Sequence, residues 1–499
     1  MNAVSNIYLI IFLPLISSLL CQLFSKRFLP FVIALSSCIL LFFLTLNILP
    51  DVLTYEKISN DFELSPLSIT LEFKVDVLSI IFLLLIIFLK IVILFYYRSD
   101  IEKYLDKKNS KIFYSVYLLH MFALVGIFTT NNLLNLFLFF EIYSFAFFAN
   151  LSISKDLKIS KISFKYFCLN ASSSLLILFC FLTIYMSLGE VNLDRIAENL
   201  LLIKGQNEWF LISIFLLLTI AFFVKFFPFW LYFENLKNTN LIADFLAIDS
   251  IFIKTNIGIY VVLKFLYFFF DDSGGLIAKL KFAPILIFFS LILIFYSAVK
   301  LYQQKHLKLI SAYSCLNNLG FIFVCLALQT TESFQAAFFY ILNFSLVNFL
   351  IFLFATFIKR YFKTSSISKI WLIRKNHFLL VLPIKLLIFS IAAFPLTLLF
   401  FANWYLAYAS FKIGFEALIL VALVASSFVN ISLATKLIFS FTARNNSEEK
   451  MPILGLKKYQ FYLMSFWFLT IMIYFLSLNF SLTNNMSLRF ASYLLSNIF

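Results

Sequence analysis

Ile220-Ala-Phe-Phe-Val-Lys225-Phe-Phe-Pro228-Phe-Trp230-Leu-Tyr-Phe-Glu234 sets one lysine inside an apolar run, with a proline three residues later and a tryptophan beyond. In hydrocarbon a lysine costs about 2.5–3.5 kcal/mol on insertion scales, so its presence asks for a partner or a path. Pro228 removes a backbone donor and breaks a helix beside that charge. A broken helix at membrane depth is tolerated where protein or a water-filled cavity satisfies the freed backbone groups. Charge and break together fit an ion path. The same residues also fit a lysine snorkelling from a helix end next to an ordinary proline kink.

Composition fixes the setting of that stretch. Of 499 residues, 63% are hydrophobic and 13% charged, with a mean hydropathy of +0.99. A soluble chain of this length cannot hide that much apolar surface from water, so the fold class is an all-α polytopic membrane protein. Apolar stretches near 6–24, 28–49, 76–97, 112–130, 132–153, 166–188, 209–231, 246–269, 283–301, 307–328, 335–358, 377–407, 415–441 and 459–480 predict about fourteen helices in a single transmembrane domain over 1–499. The first is expected to stay in the protein, because no basic residue precedes it and no A-x-A cleavage site follows. The six cysteines fall in apolar segments without a C-x-x-C and read as small core residues. His120, His306 and His377 are too scattered to suggest a metal site.

Basic residues orient the bundle. Lys26 and Arg27, then Arg98 to Lys111, Lys155 to Lys165, Lys300 to Lys308, Lys359 to Lys375 and Lys436 to Lys458 cluster in alternate connections. The intervening connections are sparse, with Lys57, Lys74, Arg195, Lys204, Lys264, Lys279, Lys281 and Lys412. The positive-inside rule then makes the chain a multi-pass protein of the inner (plasma) membrane with both termini outside the cytoplasm. Topology thereby accounts for the net charge of +15, and no nucleic-acid partner is called for.

Four lysines remain within spans: Lys90, Lys225, Lys254 and Lys385. Glu141 is the acid most clearly inside one. A lone intramembrane carboxylate or ammonium tends to neutralise, whereas a pair holds both charges. Glu141 and Lys225, on the fifth and seventh spans, are the natural pair, and Lys254 on the eighth can receive their proton. A static pair that fixes helix register is the plainer role for the same two groups. Lys90 and Lys385 are expected to have no such role.

Four ordered motifs resemble one family. They are Asn132-Leu-Leu-Asn-Leu-Phe-Leu-Phe-Phe-Glu141, Lys225-Phe-Phe-Pro228-Phe-Trp230-Leu, Lys254-Thr-Asn-Ile-Gly258-Ile-Tyr260, and Gln304-Lys-His-Leu-Lys308-Leu-Ile-Ser-Ala-Tyr313-Ser-Cys-Leu-Asn-Asn-Leu-Gly320-Phe. Together they resemble the proton-translocating family shared by the antiporter-like subunits of respiratory complex I (NADH-quinone oxidoreductase) and the large subunits of Mrp-type cation/proton antiporters. The resemblance implies two inverted five-helix repeats with broken helices, here 112–269 and 283–441, and a proton path through Glu141, Lys225 and Lys254. It also implies partner membrane subunits in the lipid bilayer, protons as cargo with sodium exchanged in the antiporter case, and no cofactor. No nucleotide loop, cysteine cluster or haem ligand pair stands in the sequence, so no redox centre is expected.

Departures from the family fall in the second half. The family's second broken helix carries Pro-Pro-Leu-Ser-Gly-Phe-x-x-Lys, and here Pro395-Leu-Thr-Leu-Leu-Phe400-Phe-Ala-Asn403-Trp404 stands instead. Asn403 replaces the lysine, Asn318 takes a position usually held by histidine, and Lys308-Leu309 replaces a lysine–arginine pair. An asparagine orients water but holds no proton at neutral pH. Two other functions therefore stand beside proton translocation. One is a non-conducting structural paralogue that keeps the assembly surfaces. The other is an unrelated fourteen-helix transporter for a lipid-linked or organic substrate.

Overall fold

A computed structural model describes residues 3–24, 28–55, 57–64, 69–153, 157–202, 208–227, 241–269, 282–362, 366–367, 378–411, 416–442 and 456–498. Pro228, the helix break expected beside Lys225, lies outside the described residues. The chain divides into two compact units, the first Met1–Tyr232 with Phe245–Leu280, the second Phe233–Asp244 with Lys281–Ser496.

The first unit opens with α1 (Ala3–Leu23) and α2 (Leu29–Tyr55), followed by an antiparallel hairpin of β1 (Lys57–Leu64) and β2 (Ile69–Asp76). Its remaining elements are α3 (Val77–Tyr104), α4 (Lys107–Thr129), α5 (Leu133–Ser152), α6 (Leu157–Leu188), α7 (Leu193–Leu202), α8 (Glu208–Phe226) and most of α9. Helix α9 comprises Leu241–Ile248 and Lys254–Phe269, joined by a π-helical turn at Asp249–Ile253. Side-chain caps start the helices that matter most. Asp76 accepts from the Ser79 N–H and Ser79 answers in a capping box at α3, and Asn132 accepts from the N–H groups of Leu134 and Asn135 at α5. The hairpin lies in what hydropathy alone marks as a connection, and polar chemistry ties down its return strand. The Asn131 N–H donates to the Glu72 carbonyl at 3.1 Å, and Lys74 Nζ reaches both Asp194 carboxylate oxygens at 2.8 Å.

The second unit holds α10 (Phe282–Gln303), α11 (Leu307–Leu328), α12 (Thr331–Leu342 and Phe349–Phe362 around the π-helical turn Asn343–Asn348), α13 (Phe378–Ile391), α14 (Leu398–Ser410), α15 (Glu416–Thr442), α16 (Leu456–Leu478) and α17 (Phe480–Ile498). Every residue of α11 is buried, so Lys308, Ser311, Ser314, Asn317 and Asn318 along it meet protein and not lipid. Between α13 and α14 the chain turns at 392–397, and Pro395 falls in that turn. The Thr397 N–H donates to the Phe394 carbonyl at 3.2 Å, with Pro395 and Leu396 at the centre and Leu396 at φ 69°. Proline followed by a positive φ is the pattern of a type II turn, whose third residue favours glycine. Leucine there is strained.

The membrane class is plain in the structure. Among the described residues ten helices are long and apolar enough to cross a bilayer, or eleven if Tyr462–Leu478 and Phe480–Ser496, bent by 74°, count as one span. Three of the fourteen expected stretches are not among these, so the count of fourteen is not confirmed over the described residues. The stretch at 209–231 is helical as far as Phe226, 246–269 carries the π turn, and 377–407 is two helices either side of the Pro395 turn. All six cysteines are free, but Cys168 is exposed and so is not a core residue as expected.

Candidate functional site

In the first unit Lys225 sits in the last turn of α8 with its side chain buried. Its Nζ donates to Glu141 Oε1 at 2.8 Å and to Ser174 Oγ at 2.6 Å. Glu141, from α5, keeps 24% of its side chain accessible against 1% for Lys225, so the carboxylate is the more open end of the pair. Two charges buried together hold each other, while either alone would be destabilising by several kcal/mol. The close approach of α8 and α9 depends on Gly258, one turn beyond Lys254. A Cβ there would meet Phe226 Cβ at 2.7 Å. Lys254 is buried at the start of the second half of α9, where its Nζ donates to the Tyr166 hydroxyl of α6 and lies 4.1 Å from the centre of that ring.

A second buried cluster lies in the same unit, and sequence reasoning missed it. Lys90 of α3, expected to be bland, contacts Asp249 Oδ1 of the π turn and lies 2.8 Å from His120 Nδ1 of α4. His120 Nε2 faces Asp249 Oδ2 at 3.6 Å, and the imidazole stacks on Tyr143 of α5 at 4.2 Å. The signal available was Asp249, an acid five residues before Lys254 inside an expected span. Lys385, by contrast, is exposed on α13.

In the second unit Asn403, where the resemblance leads one to expect lysine, is half-buried, and its Oδ1 accepts from the Tyr340 hydroxyl at 2.6 Å. Asn318 is buried, and its Nδ2 finds no acceptor among the described residues. Around them, Asn317 donates to Ser297 Oγ at 3.1 Å and accepts from Ser426 at 2.8 Å, while Ser314 donates to Asn348 Oδ1 at 3.0 Å. These groups pass hydrogen bonds but do not titrate near neutral pH. The unit's buried charge gathers at the start of α11. There Lys308, counted from the sequence as a cytoplasmic connection residue, is fully buried and donates to Asp244 Oδ1 at 2.5 Å. Lys359 approaches the other oxygen of Asp244 at 3.5 Å.

Outside the spans, the Asp194 carboxyl is held below its ordinary 3.8. Its partial burial opposes this, but the Lys74 ammonium and hydrogen bonds from Lys74 and Asn131 outweigh it.

Residues 130–429 match the family described as NADH:quinone oxidoreductase/Mrp antiporter, TM. The NADH-quinone oxidoreductase subunit N of Wolbachia sp. subsp. Brugia malayi (strain TRS) is 26% identical over 312 residues, 61% of this chain and 64% of that protein. The putative antiporter subunit mnhD2 of Staphylococcus aureus (strain MRSA252) is 28% identical over 232 residues, 46% of this chain and 45% of that protein. The chain thus spans less than two thirds of the length of either relative. A chain in the structure of the Mrp complex from Dietzia sp. DQ12-45-1b shares the fold, with TM-score 0.81 over 100% of both chains at 15% identity.

Proposed function

Because the chain belongs to the NADH:quinone oxidoreductase/Mrp antiporter transmembrane family, we propose that it is a proton-moving membrane subunit whose path runs through Glu141, Lys225 and Lys254. The contact of Lys225 with both Glu141 and Ser174 carries this proposal. A proton on the Lys225 amine is stabilised by the Glu141 carboxylate, and moving it to the carboxylate discharges both groups at once. Gly258, one turn beyond Lys254, packs against Phe226, the residue after Lys225, so the two lysines lie on helices in direct contact. That is the placement a relay requires. The drive would come from partner membrane subunits of an Mrp-type or complex I-like assembly, or from an opposing sodium gradient. Two inverted repeats at 112–269 and 283–441, with both termini outside, complete the proposed arrangement.

The non-conducting paralogue remains the second candidate, and Asn403 and Asn318 favour it. Both positions have amides where the resemblance leads one to expect titratable groups. The test is proton uptake by liposomes that contain the intact complex, purified through a tag on this chain, under an imposed pH gradient. Flux abolished by Lys225→Ala supports the relay. A wild type that does not conduct supports the paralogue.

A further inference from the structure

With no lysine at Asn403, a proton that reaches Lys254 needs another acceptor, and the first unit supplies one. We propose that Lys90, His120 and Asp249 form a second proton-holding site that takes the proton of Lys254 within the first unit. This rests on the relay proposed above and extends it to residues that relay does not use. Lys90 and His120 precede the stretch 130–429 that matches the family.

Helix geometry makes the link. At 3.6 residues per turn, residues five apart point about 140° away from each other. A π-helical turn closes i to i+5 bonds and brings such residues toward one face. The turn at Asp249–Ile253 does this between Asp249 and Lys254, with the Lys254 N–H donating to the Asp249 carbonyl. Tyr166, which holds the Lys254 ammonium, packs on Phe147 at 5.6 Å between ring centres, and Phe147 lies 6.3 Å from the His120 ring. Single-turn π bulges recur at functional sites because they re-aim side chains in this way.

The groups facing the cluster come from every helix around it. Cys38 of α2, Tyr117 of α4, Tyr143 of α5 and Lys254 of α9 surround Lys90, His120 and Asp249. Asp249 Oδ1 is taken by Lys90. Oδ2 faces His120 Nε2 and has the Tyr143 hydroxyl as its neighbour. The proton leaves the Lys254 ammonium, which becomes an amine, and binds Asp249 Oδ2, which becomes a carboxylic acid. The cluster passes from net neutral to a single positive charge on Lys90. His120 accepts from Lys90 at Nδ1, which keeps its own proton on Nε2 and directs it toward Oδ2. His120 is thus a positioning residue, and Asp249 is the group that holds the proton.

The intact complex in liposomes tests this. Asp249→Asn keeps an oxygen for Lys90 but holds no proton, and should lower proton flux by at least about tenfold. Lys90→Met combined with Asp249→Leu removes both charges together, so no uncompensated ion is left to unfold the unit, and it should lower flux equally. Asp249→Glu should restore part of it. Infrared difference spectra on a pH step should show a carboxylic-acid carbonyl band that Asp249→Asn lacks, whether or not net flux is measured. Wild-type flux in the assembled double variant, or an unchanged band in Asp249→Asn, would overturn the proposal and make the cluster a structural pin. Lys225→Ala, run alongside, separates the two levels. If it conducts as wild type while Asp249→Asn does not, the Glu141–Lys225 relay fails and the Asp249 site stands.

Discussion

The two units solve the problem of a polar interior by different means. In the first, Lys90 is buried against Asp249 and His120, Lys225 against Glu141, and Lys254 against the Tyr166 hydroxyl, so the inside of the bundle is ionic. In the second, Asn317, Asn348 and Asn403 each bond a serine or tyrosine hydroxyl, Asn318 is buried, and the charges stand at the first turn of α11. An ionic interior stores and releases protons because moving a proton changes the charge of each partner. An amide and hydroxyl interior orients water and passes hydrogen bonds while its charge stays constant. The first interior therefore has the chemistry to titrate, and the second has the chemistry to pass hydrogen bonds without titrating.

The comparison breaks most sharply at Lys225. Lys225→Ala should abolish proton flux in liposomes, since Glu141 loses its partner and Lys254 its donor. Flux at the wild-type rate in the assembled complex would remove the first unit's claim to the path. Next in size is Asn403→Lys, which gives the second unit the titratable group that the resemblance leads one to expect there. It should raise flux severalfold, about 3- to 10-fold for one proton-transfer group placed on an otherwise hydrogen-bonded route. No change would mean that water held by Asn403 and Tyr340 already serves the exit.

A smaller effect concerns stability. Leu396 holds φ 69° in the turn that separates α13 from α14. A left-handed conformation costs a non-glycine residue roughly 1–2 kcal/mol, so Leu396→Gly should raise the thermal midpoint of the complex without changing flux. A fall in the midpoint would show that packing of the leucine side chain outweighs the strain. Smallest is the anchor outside the spans. Asp194 is held below its ordinary value, so its bond to Lys74 contributes fully above the unfolded value and is lost as pH falls through the lower folded one. With half of its side chain exposed, the pair should contribute no more than about 1 kcal/mol. Hydrogen exchange at the Asn131 amide, which pairs with the hairpin at Glu72, should quicken only at strongly acid pH. The same quickening at neutral pH in Asp194→Asn, but not at acid pH in wild type, would point to packing and not to charge.

What could be read from the residues alone was what depends on local cost. Sixty-three per cent hydrophobic composition declares the bilayer, and a lysine or glutamate in an apolar run declares itself because hydrocarbon penalises it wherever it lies. Glu141, Lys225 and Lys254 were therefore visible, whereas Asn403 stood out only through the resemblance to the family. Other features required helix faces to meet. Lys90 and Asp249 are 159 residues apart and Lys308 and Asp244 are 64 apart. A lysine at a helix start looks the same in sequence whether it faces water or a buried aspartate. Nothing in the spacing of Asp249 and Lys254 announced the π turn that swings both toward one face. The sequence determined which charges enter the membrane, because each carries its own penalty. Only the tertiary structure decided which of them meet, because that depends on distances set by packing.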